Sequence, residues 1–124
     1  MEQATRKPDH FWYSRPVFFV SDIQQAIDFY INKLGFTKKW HEADGKGTVC
    51  QVERGECEIM LCEDPNRKDR GRLFLELKRV AVDQLMKEVA EKSIATQKVW
   101  WGYECLQIKD PDGNEILVCL ENLL

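Results

Sequence analysis

Two stretches decide the fold of this chain: "QVERGECEIMLC", residues 51–62, and "QIKDPDGNEILVC", residues 107–119. Each begins with a short alternating segment, passes through a turn and ends in an apolar run, which is typical of a β-hairpin. When the turns are superimposed, residues 58–62 (EIMLC) overlie residues 115–119 (EILVC). A pattern that recurs in this way indicates an internal duplication.

The turn of the second stretch, "KDPDGN" at residues 109–114, has two carboxylates and an asparagine and so resembles a cation-binding loop. An EF-hand loop needs glycine at its sixth position and glutamate at its twelfth, and counting from Asp110 puts Gly113 fourth and Glu121 twelfth. Pro111 and Asp112 suit the central positions of a tight reversal. The stretch therefore predicts a hairpin corner rather than a calcium site.

A helix is predicted before each hairpin. "SDIQQAIDFYINKLGF", from Ser21, begins with the cap candidates Ser21 and Asp22 and stops at Gly35. Its apolar residues lie on one helical face: Ile23, Ala26, Ile27, Tyr30 and Leu34. "VDQLMKEVAEK" repeats this spacing in the second half with Val82, Leu85, Met86 and Val89, and ends at Lys92.

A strand is predicted before each helix, at "RPVFFV" from Arg15 and at "RLFLEL" from Arg72. Each half then has a strand, a helix and two or three further strands, which predicts an α+β fold of two βαβββ modules. The modules are expected at about 12–62 and 72–121, joined by a linker at 63–71, within one domain spanning 12–124. Residues 1–11 are expected to form a flexible tail.

Composition restricts the class of protein. Over 124 residues, 44% are hydrophobic and 31% are charged, and the net charge of −3 does not indicate a nucleic-acid partner. No apolar run reaches the roughly 18 residues that a membrane span needs, and the start "MEQATRKPDH" is too polar for a signal peptide. The five cysteines form no CxxC pair. We therefore expect a cytoplasmic protein with reduced thiols and no membrane contact.

Taken together, "VSDIQQAIDFYINKLGF" and "WWGYECLQIKDPDGNEILVCLE" resemble the vicinal oxygen chelate superfamily, which includes glyoxalase I, bleomycin resistance proteins and extradiol dioxygenases. The resemblance covers about Arg15 to Glu121 and is closest to bleomycin resistance proteins. It implies that the two modules form a curved mixed sheet around a cavity. It also implies a homodimer, because short two-module members of this superfamily commonly pair.

Metal-dependent members of this superfamily place one ligand on the first strand and one on the last strand of each module. In this chain those positions carry Arg15, Met60, Arg72 and Leu117. Arginine has no lone pair to donate and the leucine and thioether side chains do not replace the missing donors, so we expect neither a metal nor another cofactor. We also assign no catalytic residue. His10 and His41, the two histidines of the chain, are expected in the tail and in a polar turn.

If side chains alternate along these strands, the cavity is apolar with a few charged groups. The residues expected to contact a small organic ligand are Arg15, Phe19, Glu58, Met60, Arg72, Phe74, Trp101, Tyr103, Glu115 and Leu117. The two arginines suit a carboxylate or phosphate, but buried charges are normally paired, so Glu58, Glu76 and Glu115 are alternative partners for them. Trp101 and Tyr103 suit stacking on a flat ligand, or equally core or subunit packing.

The leading hypothesis is a metal-free protein that sequesters a small molecule, as bleomycin resistance proteins do. Members that bind cationic drugs are expected to be strongly acidic, so the modest charge and the arginines weaken that particular ligand. The alternative is a metal-dependent enzyme resembling a glyoxalase, epimerase or thiol transferase, with Glu58, Glu76 and Glu115 holding magnesium or manganese. A third possibility is a partner domain whose aromatic residues serve only dimerisation.

Overall fold

The structure is a computed structural model that describes residues 9–121 and residue 124. It has two four-stranded sheets, ordered β1-β4-β3-β2 and β5-β8-β7-β6. The strands are β1 Val17–Val20, β2 Thr37–His41, β3 Val49–Arg54, β4 Cys57–Glu63, β5 Arg72–Leu75, β6 Thr96–Trp100, β7 Glu104–Lys109 and β8 Glu115–Cys119. The helices are α1 Ile23–Asp28 with the π-helical turn Phe29–Lys33, the short α2 Glu42–Gly45, and α3 Arg79–Glu91.

The α+β class and the two βαβββ modules are confirmed, with each module contributing its own sheet. In each sheet the first strand pairs in parallel with the last and the other pairs are antiparallel. Met60 pairs with Val17, and Leu117 pairs with Phe74 at the same place in the second sheet. The internal alignment of the two halves is therefore correct residue for residue.

The sequence shows β2 and β6 poorly. Their sequences are "TKKWH" and "TQKVW", in which most residues are polar and only one or two are large and apolar. Both strands lie at a sheet edge. Lysine on an edge strand discourages pairing with other chains. Because polar residues replace apolar ones there, an edge strand lacks the apolar alternation that identifies an interior strand. The prediction that His41 lies in a polar turn was wrong for this reason, because His41 ends β2.

Helix α1 covers one face of the first sheet. The Asp22 side chain accepts from the backbone N–H groups of Gln24 and Gln25, so Asp22 is the N-cap. Leu34 N–H donates to the carbonyl of Phe29, five residues earlier, which inserts an extra residue into the last turn. Gly35 then takes a left-handed conformation with φ of 72° and ends the helix.

One apolar core connects both modules. Its buried side chains from the first module are Phe18, Val20, Ile23, Ala26, Tyr30, Leu34, Phe36, Cys50, Val52, Ile59 and Leu61. Those from the second module are Val89, Leu106, Ile108, Ile116 and Val118. In both sheets these residues alternate with the opposite face, so we call the core side the helix-facing side. Four of the five residues predicted on the inward face of the first helix are buried, namely Ile23, Ala26, Tyr30 and Leu34, and the fifth, Ile27, is half-buried against the core.

The corner at residues 109–114 joins the modules. Asn114 is fully buried, and its Nδ2 donates to the carbonyl of Phe19 at 3.0 Å, while its Oδ1 accepts from the N–H of Gly71 at 2.7 Å. Both oxygens of Asp110 are occupied: Oδ1 accepts from the N–H groups of Asp112 and Asn114, and Oδ2 from Tyr30 Oη and Asn114 Nδ2. The predicted hairpin corner is therefore present, and it also works as a hydrogen-bonded clasp to the first module, which the sequence did not predict.

Asn114→Ala removes three side-chain hydrogen bonds and leaves the Phe19 carbonyl and Gly71 N–H without their partner. We expect the free energy of unfolding to fall by about 2 to 3 kcal/mol, which urea denaturation measures. Lys109→Ala, at the exposed neighbour, is the control and should change it by less than about 0.5 kcal/mol. Equal losses in the two variants would contradict the clasp.

Helix α3 is tied to the first module by an ion pair. It begins at Arg79, three residues before the predicted start, and Lys92 caps its end. Arg54 donates to both carboxylate oxygens of Glu88, at 2.8 and 3.1 Å, and also to the carbonyl of Leu34. The hydrogen bonds from Arg54 are the main cause that lowers the pKa of Glu88. The end of β3 thus fixes the last turn of α3.

This lowered pKa predicts a pH dependence of stability. Because the folded pKa of Glu88 lies below its ordinary value of 4.5, its ionised form stabilises the protein above that value, and the contribution is lost as pH falls below it. Glu88→Gln should therefore be less stable than the parent at pH 7, and the difference should shrink on acidification. Urea denaturation across pH measures this, with the exposed Glu91→Gln as the control. A pH-independent difference would exclude the linkage.

Candidate functional site

Each sheet has a second face, opposite the helix-facing side, which we call the outer face. Strand register places there Arg15, Val17, Phe19, Gln51, Glu58 and Met60 in the first module and Arg72, Phe74, Gln107, Glu115 and Leu117 in the second. These positions include eight of the ten predicted ligand contacts. The other two, Trp101 and Tyr103, lie in the turn between β6 and β7.

The outer face of the first module carries a hydrogen-bonded polar cluster centred on Gln51, which is fully buried. Its Oε1 accepts from Arg15 Nη1 at 2.5 Å and from Trp40 Nε1 at 3.1 Å. Its Nε2 donates to Glu58, which also accepts from the Tyr13 hydroxyl. A neutral amide therefore separates the arginine from the carboxylate.

The hydrogen bond from Tyr13 is the largest influence on Glu58 and lowers the pKa of its carboxyl group. The same contact raises the pKa of the Tyr13 hydroxyl. The Arg15 guanidinium lies over the Tyr13 ring, 5.3 Å from its centroid, and contributes further to lowering the pKa of Glu58. Glu58 is thus held as a carboxylate that is already bonded within its own module.

The second outer face pairs its charges directly. Arg72 Nε donates to Glu115 Oε1 at 3.0 Å, and the guanidinium lies 5.5 Å from the centroid of the Trp101 ring. Phe74 and Tyr103 contact each other with ring centroids 6.1 Å apart. Five of the predicted ligand residues therefore form one continuous surface, which we call the aromatic face: Arg72, Phe74, Trp101, Tyr103 and Glu115.

Three of the predicted ligand contacts lie outside the aromatic face or are covered by other side chains. Phe19 packs against Arg67 of the segment between the modules, with the guanidinium 4.1 Å from its ring centroid. Met60 is half-buried opposite Val17 and Gln51. Leu117 is only 2% exposed, so a ligand on this face would meet the side chains above it first.

The carboxylates suggested for a metal do not gather in this chain. Glu58 bonds to Tyr13 and Gln51, Glu115 pairs with Arg72, and Glu76 lies beside Leu75 and Leu77 in a groove between the modules. Among residues 9–121 and 124, no three histidine, cysteine, aspartate or glutamate side chains are grouped closely enough to hold a metal ion. No helix within the same residues is long and apolar enough to cross a bilayer.

Sequence reasoning missed Gln51 and Trp40. Gln51 stands between Cys50 and Val52, whose buried side chains face the helices, so alternation alone puts it on the outer face opposite Met60. That signal was available in the sequence. Trp40 lies on the polar edge strand β2, where no pattern marked it.

The sequence model of the Glyoxalase/Bleomycin resistance protein/Dioxygenase superfamily matches residues 9–118. The chain belongs to this superfamily. The resemblance in its two motifs is thus confirmed.

Solved structures of other superfamily-like proteins share the fold. The bleomycin-binding protein of bleomycin-producing Streptomyces verticillus, complexed with copper(II)-bleomycin, matches with a TM-score of 0.72 and 18% identity, covering 90% of this chain and 98% of that one. A bleomycin resistance determinant encoded on the transposon Tn5 gives 0.71 and 19%, covering 92% and 100%. Lactoylglutathione lyase from Agrobacterium tumefaciens gives 0.66 and 17%, covering 91% and 95%. No curated protein matches by sequence.

Gln51→Leu should disrupt the first outer cluster while keeping a similar volume. It removes the acceptor of Arg15 and Trp40 and the donor to Glu58, so we expect the free energy of unfolding to fall by about 1 to 3 kcal/mol. Urea denaturation measures the loss. Gln107→Leu, at the equivalent register of the second module, is the matched control, and an equal loss there would show that Gln51 has no special role.

Proposed function

We propose that this superfamily member binds a small organic molecule between outer faces without a metal ion and acts by sequestering it. One observation carries the proposal. The four positions that the superfamily resemblance assigns to metal ligands carry Arg15, Met60, Arg72 and Leu117. Arg15 and Arg72 are already hydrogen-bonded to Gln51 and Glu115, while large aromatic rings stay partly exposed. Phe74, Trp101 and Tyr103 are 37%, 49% and 38% exposed.

The aromatic face favours a flat ligand. Its exposed rings offer stacking area at little cost in conformational freedom, and the Arg72–Glu115 pair offers hydrogen-bond donors and acceptors along one edge. An anionic ligand has to compete with Glu115 for Arg72, and a cationic one has to compete with Arg72 for Glu115. The paired charges therefore support a ligand that is aromatic and close to neutral, more than the carboxylate or phosphate that two free arginines would select.

We propose further that a second copy of the chain completes the site. Each outer face is open in the single chain, where Val17, Trp40 and Trp101 are partly exposed. Large apolar side chains exposed on a sheet face are typical of an interface. A homodimer that sets one outer face against another would enclose a groove lined by the polar cluster around Gln51 and by the aromatic face. We place this dimer in the cytoplasm, where the five thiols stay reduced.

Two proteins of the same fold give this proposal a precedent, since one is a bleomycin-binding protein and the other a bleomycin resistance determinant. Antibiotic resistance is accordingly one role that such binding would serve. The alternative is an enzyme of the glyoxalase, epimerase or thiol-transferase kind, for which a lactoylglutathione lyase is the structural precedent. Metal content after purification separates the two, because one tightly held divalent ion per chain would favour the enzyme.

A thermal-shift screen of neutral aromatic, anionic and cationic compounds tests the ligand. A compound at one hundred times its Kd stabilises the fold by about 2.7 kcal/mol, which is easily measured. We expect flat, near-neutral compounds to give the largest shifts, and Trp101→Ala to reduce them. Trp100→Ala removes a more exposed neighbouring tryptophan at the end of β6 and is the control. Equal effects of the two variants, or no shift by any aromatic compound, would reject the aromatic face as the site.

Sedimentation velocity over a range of concentrations tests the dimer. We expect the parent to sediment as a dimer and Val17→Glu, which places a charge on the outer face, to shift it toward monomer. Val80→Glu alters an exposed valine of α3, outside the outer faces, and should leave the dimer intact. A parent that stays monomeric throughout would refute the paired site.

A further inference from the structure

A large apolar groove lies between the modules on the helix-facing side, away from both outer faces. Its volume is about 710 Å³. The first module contributes Leu34, Phe36 and the turn from Arg54 to Cys57. The second contributes the end of β5, the start of α3 and the floor of its sheet, and Leu124 also lines the groove. Protein interiors are packed with few voids larger than a water molecule, whereas small-molecule pockets span about 300 to 1,000 Å³. The groove thus has the size of a ligand site.

The walls of this groove, which we call the inter-module groove, are almost entirely apolar. Ile108, Ile116 and Val118 form the floor, and Leu75, Leu77 and Leu85, all half-buried, form the sides. Val80, at the start of α3, also lines the groove and is 77% exposed. In contrast, Ala26 of α1 and Tyr30 of the π-helical turn that follows it are completely buried. Helix α3 therefore leaves apolar surface uncovered where α1 does not.

The polar groups in the wall define what the groove accepts. Arg54 already donates to both oxygens of Glu88 and to the Leu34 carbonyl, and Gln84 donates to Glu88. The remaining charged lining residues are exposed, namely Glu56, Glu76 and Lys78, so the negative charges outnumber the positive one. In the described residues, the buried side-chain atom without a hydrogen-bond partner is Asp112 Oδ2, which lies outside the groove lining.

We propose that the inter-module groove is a second binding site, separate from the outer faces, for an uncharged apolar molecule of about drug size. Such a molecule would cover the half-buried leucines and leave the Arg54–Glu88 pair intact. An anionic molecule would meet two carboxylates, Glu56 and Glu76, against the single ammonium group of Lys78, so the site discriminates against it. The binding energy would come from the removal of apolar surface from water.

Cys57 makes occupancy of the groove measurable. Its thiol lines the groove and is half-buried, and burial raises its pKa to about 11, so it reacts slowly and its protection is easily timed. Cys62 is also half-buried, but its register puts it on the outer face, outside the groove lining. We expect the neutral dye Nile red to slow the alkylation of Cys57 by iodoacetamide and to leave the alkylation rate of Cys62 unchanged. Peptide mass spectrometry measures both rates. Protection of Cys62 alone would place the dye on the outer face and overturn the proposal.

Filling the groove provides the second arm of the test. Ala81 on α3 lines the groove and is half-buried, so Ala81→Phe should weaken Nile red fluorescence binding by at least about tenfold. The milder Ala81→Leu should give an intermediate loss if the larger change impairs folding, which circular dichroism and urea denaturation monitor. Lys87→Phe, on the exposed side of the same helix, should keep the parent affinity.

Three results would overturn the proposal. Nile red affinity that is equal in Ala81→Phe, Ala81→Leu and the parent would show that the dye binds elsewhere. Tighter binding of the anionic dye anilinonaphthalene sulfonate than of Nile red, with the same protection of Cys57, would contradict the charge preference. Loss of dimer sedimentation in folded Ala81→Leu would identify the groove as an interface between copies of the chain.

Discussion

The amide of Asn114 is the contact on which the arrangement of the two modules depends. This one side chain binds the Phe19 carbonyl of β1, the N–H of Gly71 just before β5, and the buried Asp110 carboxylate. Burial raises the pKa of Asp110, and the Tyr30 hydroxyl and two backbone N–H groups offset part of that penalty. Gly113, with φ of 88°, allows the chain to reverse there. Both the shared core and the groove between the modules follow from this junction.

The duplication could be predicted because the two hairpins repeat both residue type and register. Strand register depends on the same alternation of apolar and polar residues that is visible in the sequence. Arg15 is therefore equivalent to Arg72, and Met60 to Leu117, as the alignment of the two halves requires. The N-cap at Asp22 and the stop at Gly35 were predictable for a local reason, since both are set by the backbone geometry of single residues. Edge strands β2 and β6 have no comparable local signal.

The site itself was only partly predictable. The pairing of Arg72 with Glu115 was one of two alternatives that the sequence left open, and cross-strand register decides it because these residues stand directly opposite each other. The partner of Arg15 was missed, since a buried glutamine between two core residues carries no charge to attract notice. The inter-module groove lay beyond sequence reasoning altogether, because it depends on how closely α3 approaches the other module.

The unequal treatment of the two arginines has a consequence for any molecule held between unlike faces. One guanidinium meets a neutral amide and the other meets a carboxylate, so the two walls differ in electrical character although their backbones match. The two ends of a long molecule bound between these faces would therefore contact different chemical groups. Divergence after duplication has thereby made a nearly symmetric scaffold chemically directional, which would favour one orientation of such a molecule over the reverse.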